Sequence, residues 1–159
     1  MQCRFRKLYL IRADFVSILK KIKNILVPLD GSVSSKKGFN LAITLAKSLD
    51  AKITAINVIR ISNDFQFPVS SEIKKIHAKS AEKIISDAQN IAKKEKVPFV
   101  GKIAKGANIG GEIIKFSKSK KTDLIIIGSR GPYPGSETFL GSVANYVLHK
   151  TSIPITIIK

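Results

Sequence analysis

Two short stretches hold residues whose types and spacing could do chemistry. In the first, Gly128-Ser129-Arg130-Gly131 follows Ile127, nine residues run from Pro132 to Leu140, and Gly141-Ser142-Val143 comes next. Glycines let the backbone approach an anion closely and can take positive φ, and a helix opening at Ser142 would add unpaired N–H groups, a partial positive charge and a hydroxyl. That is a phosphate-binding layout. The plainer reading is that Gly128 and Gly131 turn the chain and Ser142 caps a helix. The second stretch is Pro28-Leu29-Asp30-Gly31-Ser32. A carboxylate at the carboxyl end of a strand can accept hydrogen bonds from a ribose or a base amino group. Here the alternative is a turn, with Asp30, Ser32 or Ser34 capping the helix that follows. If the strands preceding the two stretches are neighbours, both loops open onto one crevice at a topological switch point, and the combination favours a nucleotide site.

The elements that would position these residues follow from hydrophobic period. From Ile22 onward, short β-rich runs alternate with helical segments, the pattern of a parallel sheet covered by helices. Strands are expected at Asn24–Leu29, Ile53–Ile59, Val97–Ile103, Asp123–Gly128 and Ile153–Ile158, and helices at Ser34–Leu49, Ser71–Lys94, Ile109–Ser119 and Ser142–Lys150. The second helix shows the clearest stripe, with Ile73, Ile76, Ala81, Ile84, Ala88 and Ile91 on a core face and lysines opposite. Arg60–Ser70 has no period and reads as a surface loop. Residues 1–21 stand outside the alternation as a basic amino-terminal extension, and 22–159 form the domain. Phe5, Leu8, Tyr9, Phe15, Leu19 and Ile22 could line one face of a basic amphipathic helix able to meet an anionic membrane surface. A secretory signal is disfavoured, because Arg12 and Asp14 interrupt the apolar run.

With 159 residues, one domain with a sizeable core is expected. The longest apolar run, Leu124–Ile127, is far short of a membrane span. One cysteine and two histidines cannot build an internal disulfide or a Cys/His zinc cluster. A reducing, cytoplasmic setting is therefore expected. The net charge of +17 raises nucleic acid as a partner, although most of the excess is lysine along helix faces such as Lys74, Lys75, Lys79 and Lys83, which reads first as solvated surface.

The residues from Lys23 to Lys159 resemble the universal stress protein family. The likeness lies in KNILVPLDGSVSSKKGFNLAITLAKSLDAKITAINVI, in TDLIIIGSRG and in GSVANYVLHKTSIPITIIK. Gly128, Gly131, Gly141 and Ser142 match the spacing that marks the family's ATP-binding branch. The resemblance implies an α/β fold with an open five-stranded parallel sheet in order 3-2-1-4-5 and helices on both faces. It also implies an adenine nucleotide, ATP or AMP, with Mg or Mn as candidate companion ions. Asp30 would contact adenosine, Val58 would line the adenine pocket, Leu29 would supply backbone groups next to Pro28, and the segment from Ile127 through Gly128, Arg130 and Gly131 to Gly141, Ser142 and Val143 would hold phosphates. Pairing through Ile153–Ile158 would make a homodimer. The insert PYPGSETFL departs from many relatives by carrying Glu137 where they are more basic, which could repel phosphate or join it in holding a metal.

Three functions compete on these grounds. One is a nucleotide-binding stress regulator or sensor acting on a protein partner of unknown identity. Another is a slow ATPase or self-phosphorylating protein; GxxxxGK[ST] is absent, and His77 and His149 stand alone, so efficient catalysis is not expected. The third is a basic nucleic-acid binder, recognisable by a steep salt dependence.

Overall fold

A computed structural model of the chain describes residues 21–61, 70–132 and 140–159. Five strands, β1 (Asn24–Pro28), β2 (Lys52–Arg60), β3 (Phe99–Gly106), β4 (Leu124–Gly128) and β5 (Ile155–Ile158), form one parallel sheet in order β3-β2-β1-β4-β5. Four helices alternate with them: α1 (Val33–Leu49), α2 (Ser71–Lys94), α3 (Ile109–Ser119) and α4 (Ser142–Lys150). Strand residues alternate between two cores, as a period of two requires. Ile25, Val27, Ile53, Ala55 and Ile126 pack with Phe39, Ala42, Ala88 and Ala92 of α1 and α2. Leu26, Ile56, Ile125 and Ile127 pack on the other face with Ile113 of α3 and Val147 of α4. Three central strands buried on both faces explain why their sequences are almost continuously apolar.

Boundaries shift where backbone pairing and side-chain polarity disagree. β3 starts at Phe99 and continues to Gly106, two residues later than Val97 and three beyond Ile103, because eight of its residues stay in register with β2 although Lys102 and Lys105 are exposed. β5 starts at Ile155 rather than Ile153, whose N–H donates to Thr151 Oγ1 at 3.0 Å. The α2 stripe is also narrower than its period suggests. Ala81, Ala88 and Ala92 are buried, whereas Ile73, Ile76 and Ile91 are exposed. The extension 1–20, the loop residues 62–69 and the insert residues 133–139, Glu137 among them, lie outside the described residues.

Candidate functional site

β1 and β4 are direct neighbours, with Ile25 opposite Leu124 and Leu26 opposite Ile125, so the two chemistry-bearing loops leave the sheet at the same level. β1 leads toward β2 and β3 on one side while β4 leads to β5 on the other, which makes this pair the switch point of the sheet. The condition for a shared crevice is met.

The loop after β1 is held by its own side chains. Asp30 Oδ1 accepts from Ser32 N at 2.9 Å, and Gly31 between them takes φ +84°, where a side chain would be strained. Ser32 caps α1, its Oγ accepting from Ser35 N at 3.1 Å. Asp30 itself is exposed, leaving its second oxygen, Oδ2, directed to the crevice side: a Cβ placed on Gly131 would lie 3.6 Å from it. Behind the loop, Leu29 N donates to Ile56 O at 2.9 Å and Leu29 O accepts from Asn57 Nδ2 at 2.6 Å. The expected backbone contribution of Leu29 is thus reduced to the second lone pair of its carbonyl. Val58, at the end of β2, is half-buried beside the second core, as a pocket-lining residue would be.

The loop after β4 divides its glycines between different tasks. A Cβ on Gly128 would come within 2.5 Å of Ser34 Oγ and 2.8 Å of Ser35 N, so this glycine makes room for the start of α1. Ser34 Oγ then donates to Arg130 O at 2.7 Å, pinning the loop to that helix. Gly131 meets nothing closer than Asp30 Oδ2, and its bareness leaves open backbone at the crevice. Gly141 N donates to Ser129 O at 2.7 Å, and Gly141 caps α4 without a side-chain hydrogen bond, so the cap residue itself leaves the first amides of Ser142 and Val143 uncovered. A Cβ on Gly141 would lie 3.3 Å from Ser129 O and 3.8 Å from Gly131 N, which brings the opening of α4 against Gly131.

Two expectations are corrected here. None of Gly128, Gly131 and Gly141 has positive φ; among the described residues the glycine that does is Gly31. Their value at this site is therefore clearance and not handedness. Ile127 is buried in the second core, so its side chain is part of the packing and only its backbone borders the loop. Arg130 and Pro132 are exposed, and they share with Gly31, Ser34 and Lys159 a cavity of about 600 Å³ on the α1 side of the loop. Asp30, Val58, Gly141 and Ser142 do not line that cavity, whereas Gly131 does, so the cavity meets the switch-point crevice at Gly131. Among the described residues no three His, Cys, Asp or Glu side chains gather into a metal-holding group.

The family model of the universal stress proteins matches residues 21–159. The chain belongs to the universal stress protein family. A universal stress protein of Methanocaldococcus jannaschii is 29% identical over 140 residues, which cover 86% of this chain and 82% of that one. The fold matches a family member from Burkholderia pseudomallei at TM-score 0.70 with 19% identity, over 86% of this chain and 95% of the other. It also matches the Archaeoglobus fulgidus universal stress protein in complex with dAMP, at TM-score 0.66 and 19% identity, over 87% and 98% of the two chains.

Within this universal stress protein, the sequence reading missed two positioning residues. Ser34 looked like one of three interchangeable caps, yet its hydroxyl bridges to Arg130, 96 positions away. Asn57, buried at the end of β2, orients Leu29 and so the strand end that carries Asp30. A polar residue inside the apolar run Ile53–Ile59 was the available signal, since a buried amide must find a partner.

Proposed function

We propose that this universal stress protein is a regulator or sensor that binds an adenine nucleotide, ATP or AMP, in the crevice between the loops after β1 and β4. One observation carries the reading: Asp30 Oδ2, the bare backbone of Gly131 and the glycine-capped start of α4 converge, with gaps of 3.6 and 3.8 Å measured from the positions of the missing Cβ atoms. Phosphate oxygens would be received by the amides at Gly131, Ser142 and Val143 and by the Ser142 hydroxyl, where the helix end is partially positive. Asp30 would accept from the ribose hydroxyls or the base amino group, with Val58 against the ring. The dAMP complex of the Archaeoglobus fulgidus relative supports the ligand class. Pairing through β5 would complete the functional unit: Ile155 and Ile157 stand on an edge strand, whose unpaired N–H and C=O groups a second copy would satisfy.

The test is calorimetric titration of ATP, AMP and GTP into protein stripped of small molecules, beside the Gly131→Val variant. Binding of ATP or AMP, preference over GTP and loss of binding in a folded variant are the expected results. No heat at millimolar ATP or AMP would overturn the reading. Catalysis is expected to be slow, because the sequence has no GxxxxGK[ST] lysine and His77 and His149 stand alone. Multiple turnovers per second with magnesium would contradict that, and label transferred from ATP to the protein would favour self-phosphorylation.

A further inference from the structure

The two halves of α2 differ in burial. Ile84 lies over Gly31, just past the end of β1, its Cδ1 standing 3.1 Å from where a Cβ of Gly31 would be. The 13 residues before Ile84 make the amino-terminal half of the helix, about 20 Å long at the rise of an α-helix. Ser71 through His77 are exposed on every side of the helix, and burial begins only at Ala81. This half nevertheless carries Ile73, 45% exposed, and Ile76, 63% exposed.

Ile76 stands beside a row of cations, and Ile73, one turn earlier, stands beside Ile76 on the side away from that row. Lys75, Lys79 and Lys83 recur every fourth residue and share one row of the helix; Ile76 precedes Lys79 by three and Lys83 by seven, which places it in the adjoining row. Ala81, five residues after Ile76, points the opposite way, to the sheet. Among the described residues the ion pairs are Lys23–Asp50 and Lys47–Glu95, and neither engages these lysines. Glu72 is the acid of the first turn, its carboxylate accepting from Ser71 Oγ at 3.1 Å; Glu82 is the other acid before Ile84. Four lysines against two acids leave this half of the helix positive.

We propose that the exposed amino-terminal half of α2 docks on an anionic lipid surface. Charge complementarity selects an anionic partner, and the isoleucines select among anionic partners. Phosphates of a nucleic acid would engage the lysines and leave Ile73 and Ile76 in water, whereas a lipid interface receives ammonium groups among its headgroups and isoleucines at the acyl boundary. A second copy docking by this same face would set two lysine rows against each other, a like-charge contact that pairing through the uncharged strand β5 does not make. Two isoleucines make the attachment reversible and salt-sensitive.

The test is sedimentation of the full chain with vesicles of phosphatidylglycerol and phosphatidylcholine, and with phosphatidylcholine alone, as a function of salt. Binding to the anionic vesicles only is expected. The Ile73→Ser/Ile76→Ser variant should bind about tenfold more weakly with unchanged circular dichroism, and Lys75→Gln/Lys79→Gln/Lys83→Gln should weaken binding and flatten its salt dependence. Equal binding by all three proteins would place the attraction elsewhere on the charged surface and overturn the proposal. So would binding of single- or double-stranded nucleic acid that the lysine variant loses while no protein binds vesicles. Concentration-dependent association abolished by the isoleucine variant, again without vesicle binding, would assign the face to a second copy and overturn it equally.

Discussion

At the scale of single residues, the glycines of the β4 loop separate into structural and ligand-facing kinds. Gly128→Ala forces a Cβ against Ser34 Oγ and the Ser35 amide, and the overpacking should cost about 1–3 kcal/mol, read as a lower midpoint of chemical denaturation. Gly131→Val should behave in the opposite way. Its Cβ has room at 3.6 Å from Asp30 Oδ2, and its φ is not positive, so stability should be nearly unchanged while the branched side chain enters the crevice and nucleotide affinity falls. A Gly131→Val protein that is itself strongly destabilised would contradict this division. Asp30→Ala should weaken ATP and AMP together and leave inorganic triphosphate little affected, because the carboxylate is placed to meet the nucleoside and not the phosphates. Calorimetry with the three ligands separates these outcomes.

At the scale of elements, the start of α1 is the joint between the two loops. Ser32 caps the helix and Ser34 holds the carbonyl of Arg130, so Ser32→Ala should cost about 1 kcal/mol of stability while Ser34→Ala should also loosen the β4 loop. Faster amide exchange at Arg130 and Gly131 in Ser34→Ala, absent from Ser32→Ala, would show the second effect. At the other end of α1, Lys47 Nζ donates to Glu95 Oε2 at 2.8 Å, and this hydrogen bond, with the charge of Lys47, lowers the Glu95 pKa below its ordinary value. A carboxylate with a lowered folded pKa adds stability that is complete above the unfolded pKa and is lost as pH falls through the folded one. NMR titration should place the Glu95 midpoint below 4.5, and Lys47→Met should return it toward that value. Lying at the surface, the pair should also weaken with salt.

At the scale of the whole molecule, a ligand that binds only the folded state should raise the thermal midpoint in proportion to the logarithm of its concentration. ATP and AMP are expected to do so, and GTP to do so less. The dimer proposed through β5 predicts that Ile155→Lys/Ile157→Lys shifts light scattering from dimer to monomer without loss of the parallel sheet, since these positions are only half-buried in one chain. A chain beginning at Lys21 should keep both fold and nucleotide affinity, as Ile22 is the first of the described residues in the core. Insolubility of that shorter chain would show that the preceding residues complete the packing.

The sequence by itself determined the layers. Period two in the strands and period three to four in the helices depend on local geometry, so α2, α3 and α4 end where their composition says they end, and the family spacing of Gly128, Gly131, Gly141 and Ser142 is visible without coordinates. Only the tertiary structure decided which glycine clears a helix and which leaves its backbone open to the crevice, because that depends on Ser34 and Ser35, which are close to Gly128 in space and far from it in the chain. It likewise decided that Ile73 and Ile76 lie outside the core. Helical period tells which side of α2 an isoleucine is on, but not how far along the helix the packing reaches.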